Sequence, residues 1–107
     1  MKIKIKKTIE TETEVELQLP AFFTNGECEI KIISETELIE VRPKIEGREW
    51  NYVYNETGMF VTAKINTVVA NGTLSTEENF ISAMMSVAHH INKLIQENVP
   101  VTVNQDL

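Results

Sequence analysis

Residues 2–19 alternate almost without a break. Apolar Ile3, Ile5, Ile9, Val15, Leu17 and Leu19 hold odd positions; Lys2, Lys4, Lys6 and then Glu10, Glu12, Glu14 and Glu16 hold even ones. A period of two predicts β structure. One straight strand of this length would span about 60 Å at roughly 3.3 Å per residue. A domain of this size has a radius of gyration of about 13 Å, so the segment must turn or bend. Opposed residues of an antiparallel pair share a face. Because the apolar phase never shifts, a hairpin here needs a loop of odd length. A loop centred near Ile9–Thr11 sets Lys6 opposite Glu14 and Lys4 opposite Glu16, so the outer face neutralises itself.

Two more hairpins are predicted. Pro20 stops the first segment and Asn25-Gly26 marks a turn. Phe22 and Phe23 point opposite ways if extended. With Ser34–Glu37 as its loop, "ECEIKIISETELIEVRP" sets Ile32 against Ile39, Ile30 against Val41 and Lys31 against Glu40, with Cys28 on the apolar side. A loop at Asn55–Gly58 sets Tyr54 against Met59, Tyr52 against Val61 and Trp50 against Ala63. The helical period then appears: Phe80, Ala83, Met84, Val87, Ala88, Ile91, Leu94 and Ile95 recur at i, i+3, i+4 spacing. Ser75 and Glu78 have capping-box spacing, and Pro100 ends the helix.

About six strands followed by one helix predict an α+β fold. The expected architecture is a curved antiparallel β-sheet of hairpins, with one C-terminal amphipathic helix packed on its inner face. The 107 residues suit a single domain, 1–107: strands over about 2–67, helix over about 76–98, and a short tail, 99–107. This architecture leaves Ile33, Leu38, Val53 and Phe60 on reverse faces, and Ile81 and Met85 off the main helical stripe. Surplus apolar surface on a small domain marks a partner. Phe60, Ile81 and Met85 are therefore candidate interface residues, and a homodimer through helix or sheet edge is the first expectation.

Composition narrows the chemistry. Net charge is −6, with 15 Glu and one Asp, Asp106. That balance disfavours phosphate-backbone binding, and near-absence of Asp lowers the case for a Mg²⁺ or Ca²⁺ site. The single cysteine, Cys28, forms no internal disulfide; with no apolar leader and no membrane-length apolar run, a reducing, cytoplasmic setting is expected. His89-His90 lacks the i, i+4 spacing of a helical metal pair, so no metal or cofactor is expected. Cys28 reads as a buried structural thiol, and the Glu rows in 10–16 and 35–40 as solvated faces rather than an acid/base pair. No catalytic constellation is assembled, and the chain reads as a non-enzyme.

Two functional readings remain. The first is a non-catalytic protein-interaction domain, an accessory or adaptor module. The second is a single-stranded nucleic-acid-binding module, because several small dimeric folds that bind single strands are similar in element order, antiparallel strands followed by one helix. Its natural site is the aromatic row Trp50, Tyr52 and Tyr54 with Arg48, Lys4 and Lys6. The competing reading of that row is a core face packed against Met59, Val61 and Ala63.

Overall fold

A computed structural model describes residues 1–6, 12–43 and 51–99. The first segment is a hairpin of β1 (Lys2–Lys6) and β2 (Glu12–Glu16). The register pairs Lys4 with Glu14 and Lys6 with Glu12. Parity is as expected, basic half against acidic half, with the register displaced by two residues and the phase kept. Ile3 and Leu17 on the odd row are buried.

The main sheet is antiparallel, in the order β6-β5-β4-β3-β7. Its strands are β3 (Ala21–Thr24), β4 (Glu29–Ser34), β5 (Glu37–Arg42), β6 (Tyr52–Thr57) and β7 (Thr73–Leu74). Asn25-Gly26 makes the β3–β4 turn, as expected. Gly26 sits at φ +96°, and Asn25 Oδ1 accepts from the Cys28 amide at 2.8 Å.

The β4–β5 register differs from the expected one by a single residue. Ile32 pairs with Leu38, Ile30 with Glu40 and Lys31 with Ile39, whereas Ser34 pairs with Glu37; the shift falls between Ile32 and Ser34. The reversal is a tight turn at Glu35–Thr36 rather than a four-residue loop, and a bulge at Ile33 absorbs the extra residue. A one-residue slip exchanges faces. Leu38, expected on the reverse face, joins Ile30 and Ile32 and is fully buried, while Ile39 and Val41 turn to the other side.

Both faces are consequently apolar, and both are covered. Residues 59–69, expected to pair with β6 as a strand, instead form a helix, α1 (Val61–Asn71). Val61 and Ile65, one helical turn apart, are buried beside Ile30, Ile32, Leu38 and Phe23, with Val68 and Val69 packed against them. Burial of that stripe overrides the strand preference of its β-branched residues. The apolar row of the β1–β2 hairpin shares this core. Gly58, at φ +124°, reverses the chain from β6 into α1. A Cβ there would lie 2.9 Å from the Phe60 ring, so the site takes glycine on two counts.

On the opposite face α2 (Glu77–Asn98) packs Phe80, Ala83 and Val87 over Val41. Phe22 meets Phe80 with ring centroids 5.8 Å apart, while its neighbour Phe23 faces the α1 core. Thr76, rather than Ser75, is the N-cap: its side chain accepts from the Asn79 amide at 3.1 Å. Ser75 instead donates to Glu29. The protein is α+β with an antiparallel five-strand sheet and a long C-terminal helix, as expected. It carries a second helix that was not.

The bulge makes a direct prediction. Leu38→Ala should cost about 2–5 kcal/mol, as for other buried leucines, and Ile39→Ala, on the half-buried face, distinctly less. Urea denaturation of both variants measures this. Equal losses would contradict the slipped register.

Candidate functional site

The sheet face under α1 changes character towards β6. Next to the apolar residues of β4 come Glu40 and Arg42 of β5, and next to these Tyr54 and Tyr52 of β6, paired with them one to one. The aromatic row is therefore opposed by polar residues. It does not pack against Met59, Val61 and Ala63, because those residues have left the sheet. Tyr52 is half-buried and Tyr54 is 59% exposed. Trp50 and Arg48 lie outside the described residues, as do the side chains of Lys4 and Lys6, whose backbone positions face Glu14 and Glu12.

Five side chains form one connected network here. The Tyr52 hydroxyl donates to Glu40 Oε2 at 2.8 Å and lies 3.7 Å from Cys28 Sγ. Lys64, the fourth residue of α1, reaches down onto the sheet. It donates to Glu56 Oε2 and stands 3.6 Å from Glu40 Oε1. Glu40 was expected on a solvated face and Glu56 in a hairpin loop; their side chains are only 14% and 18% exposed. A half-buried carboxylate needs a cation or strong donors, and Lys64 serves both. Beside this network Arg42 donates to Glu27 at 2.9 Å.

A depression of about 450 Å³ opens over the network, lined by Glu40, Asn51, Tyr52, Tyr54 and Glu56. The buried Asn51 Nδ2 at its edge has no hydrogen-bond partner among the described residues. A somewhat larger depression, about 520 Å³, lies between the β3–β4 turn and the end of α1. Its lining among the described residues, including Thr24, Asn25, Thr67 and Asn71, contains no ionisable side chain.

Three groups of the network, Cys28, Tyr52 and Lys64, have their proton affinities moved the same way. Burial pushes the Cys28 thiol up; the Tyr52 hydrogen bond opposes this in part, and the Glu40 charge adds a lesser push upward. Burial, followed by the hydrogen bond to Glu40, raises the Tyr52 phenol well above its ordinary range. Burial alone would lower Lys64, but its bonds and charge contacts with Glu56 and Glu40 outweigh that and raise it. At neutral pH the thiol, phenol and ammonium all hold their protons. A protonated thiol is a poor nucleophile, and a charged amine is none.

The remaining candidates are scattered. His89 is exposed and His90 half-buried on α2. Ile81 (47% exposed) and Met85 (67%) lie on the outer side of α2, and Phe60 (70%) lies at the start of α1. Lys2 pairs with Glu14 at 3.5 Å, both largely exposed, which is worth a few tenths of a kcal/mol at most. The sequence reading missed Lys64 as a site residue because its segment was taken as a strand. The Val61, Ile65, Val68 spacing was the available signal. Comparison with protein-family models, curated proteins and solved structures found no match.

The raised proton affinities give stability a definite pH dependence. Above pH about 9 the unfolded chain releases the Cys28 proton, above about 10 the Tyr52 proton and then that of Lys64, while the folded state retains them longer. The folded state then binds more protons, so stability falls as pH rises through this window and is unaffected by these groups below it. Urea midpoints should drop between pH 8 and 10.5, and the drop should be smaller in Tyr52→Phe. A Tyr52→Phe protein that declines as steeply as wild type would contradict the buried phenol.

Proposed function

We propose that this chain is a non-catalytic protein-interaction domain, an accessory or adaptor module whose contact element is α2. One observation carries this reading. The helical stripe that begins at Phe80, Ala83 and Val87 under the sheet continues through Ile91, Leu94 and Ile95, but those three are 44–48% exposed. The 22-residue helix is about 33 Å long at 1.5 Å per residue. Its buried residues all lie in the first half; from residue 88 to residue 98 every side chain is exposed except half-buried His90. A helix that keeps an apolar stripe beyond its own sheet presents it to another surface, the helix-in-groove mode of recognition.

The network around Tyr52 supports the same reading from the chemical side. General acid–base work favours groups that titrate near the working pH, and the thiol, phenol and ammonium here are all shifted away from neutrality. Its role is to seat α1 on β5 and β6. A lone cysteine fits a reducing, cytoplasmic setting. Among the described residues no helix is long and apolar enough to cross a membrane.

The test is affinity capture from the native cell extract with wild-type protein and Leu94→Glu as parallel baits. Leu94 is 45% exposed, so its replacement should leave the melting curve within a degree or two, as for surface changes generally. A protein retained by wild type and lost at least tenfold with Leu94→Glu is the expected result. Capture that is indifferent to Leu94 would overturn α2 as the contact element.

A further inference from the structure

A second stripe on α2 runs beside the one that packs on the sheet and meets it at Ile95. Ile81, Met85, Ala88, Asn92 and Ile95 follow one another at spacings of 4, 3, 4 and 3, and all five are exposed. That is the a/d pattern of a coiled-coil seam over two heptads, with Met85 and Asn92 at a and Ile81, Ala88 and Ile95 at d. At 3.6 residues per turn, the seam lies about 100° round the helix from Phe80. A helix laid along it would leave the α2–sheet contact intact.

We propose that this seam pairs two copies of the chain through a parallel, in-register α2–α2 contact about a two-fold axis. The inference goes beyond the interaction reading above: it gives another face of α2 a partner of its own, a second copy of the chain. Charge argues for self-association. The chain carries −6, yet residues 79–92 contain no Asp, Glu, Lys or Arg. The flanking e and g positions, Ser82, His89 and Gln96 on one side and Met84, Ile91 and Asn98 on the other, are also free of Lys, Arg, Asp and Glu. Two acidic molecules can thus approach along this line without apposing like charges between Asn79 and Asn92.

The order of residues selects the parallel arrangement. In register, apolar layers meet at Ile81, Met85, Ala88 and Ile95, and the two Asn92 amides meet and hydrogen-bond each other. An antiparallel pair would place Asn92 against Ile81, with Glu78 against Ile95, or, in the neighbouring register, against Ala88; either way the buried amide has no partner amide opposite it. A single Asn at an a position characteristically fixes register and a two-stranded state. Two heptads are too short for a free-standing coiled coil. Here the helix is already formed, because Phe80, Ala83 and Val87 hold it on the sheet.

Sedimentation equilibrium of the purified full chain, across micromolar to millimolar concentration, reads the result. The mass should rise from 12.2 kDa towards twice that value. Met85→Glu should remain at the monomer mass with an unchanged melting curve, since Met85 is 67% exposed. Met85→Cys and Asn92→Cys should each form a disulfide-linked dimer on mild oxidation, and wild type, whose Cys28 is buried, should not. A wild-type mass of 12.2 kDa throughout, or a dimer indifferent to Met85→Glu, would overturn the proposal. Crosslinking at only one of the two positions would overturn the parallel register. Leu94 lies off the seam, so Leu94→Glu should still dimerise; loss of the captured protein and loss of the dimer are thereby separate outcomes.

Discussion

One extra residue in β4 decides how this protein is layered. The bulge at Ile33 slips the β4–β5 register by one position, and a slip of one exchanges the faces of every residue beyond it. Ile30, Ile32 and Leu38 then share one side while Ile39 and Val41 share the other with Phe22. A sheet apolar on both faces cannot leave either in water. The α1 helix and the β1–β2 hairpin cover one face, and α2 covers the other. The adjacent phenylalanines of β3 express the same demand in a single dipeptide, since Phe22 packs on α2 and Phe23 on the α1 core.

The polar network follows from this layering. Once α1 lies over β5 and β6, the sheet positions beneath its first turns are shielded, and the Glu40 and Glu56 carboxyls there meet a cation supplied from above. Lys64 is that cation. Tyr52 occupies the next position along, caps the second oxygen of Glu40 and reaches Cys28. The result is a network that fastens a helix to a sheet, in which Cys28, Tyr52 and Lys64 hold their protons firmly.

Much of this was legible in the chain. The hairpin was readable because its charge order and apolar parity agree, so any odd loop gives basic against acidic; only the choice among registers two residues apart was not. Asn25-Gly26 and α2 were readable because turn chemistry and helical period are local. The β4–β5 register was not, because either pairing of Ile30 and Ile32 buries apolar residues and the bulge that decides between them has no local signature. Residues 59–69 satisfied both periods at once: Met59, Val61, Ala63 and Ile65 alternate, while Val61, Ile65 and Val68 fit a helix. Tertiary burial chose the second. With that segment misread, Lys64 could not be placed, and neither could the carboxylates it holds.

The overhanging half of α2 has an evolutionary consequence. The fold depends on Phe80, Ala83 and Val87, and residues 88–98 contribute no buried side chain to it. Selection for folding therefore constrains that half only weakly, leaving its surface free to change by substitution. Change of that kind leaves the core untouched, so this half of the helix can diversify without loss of stability.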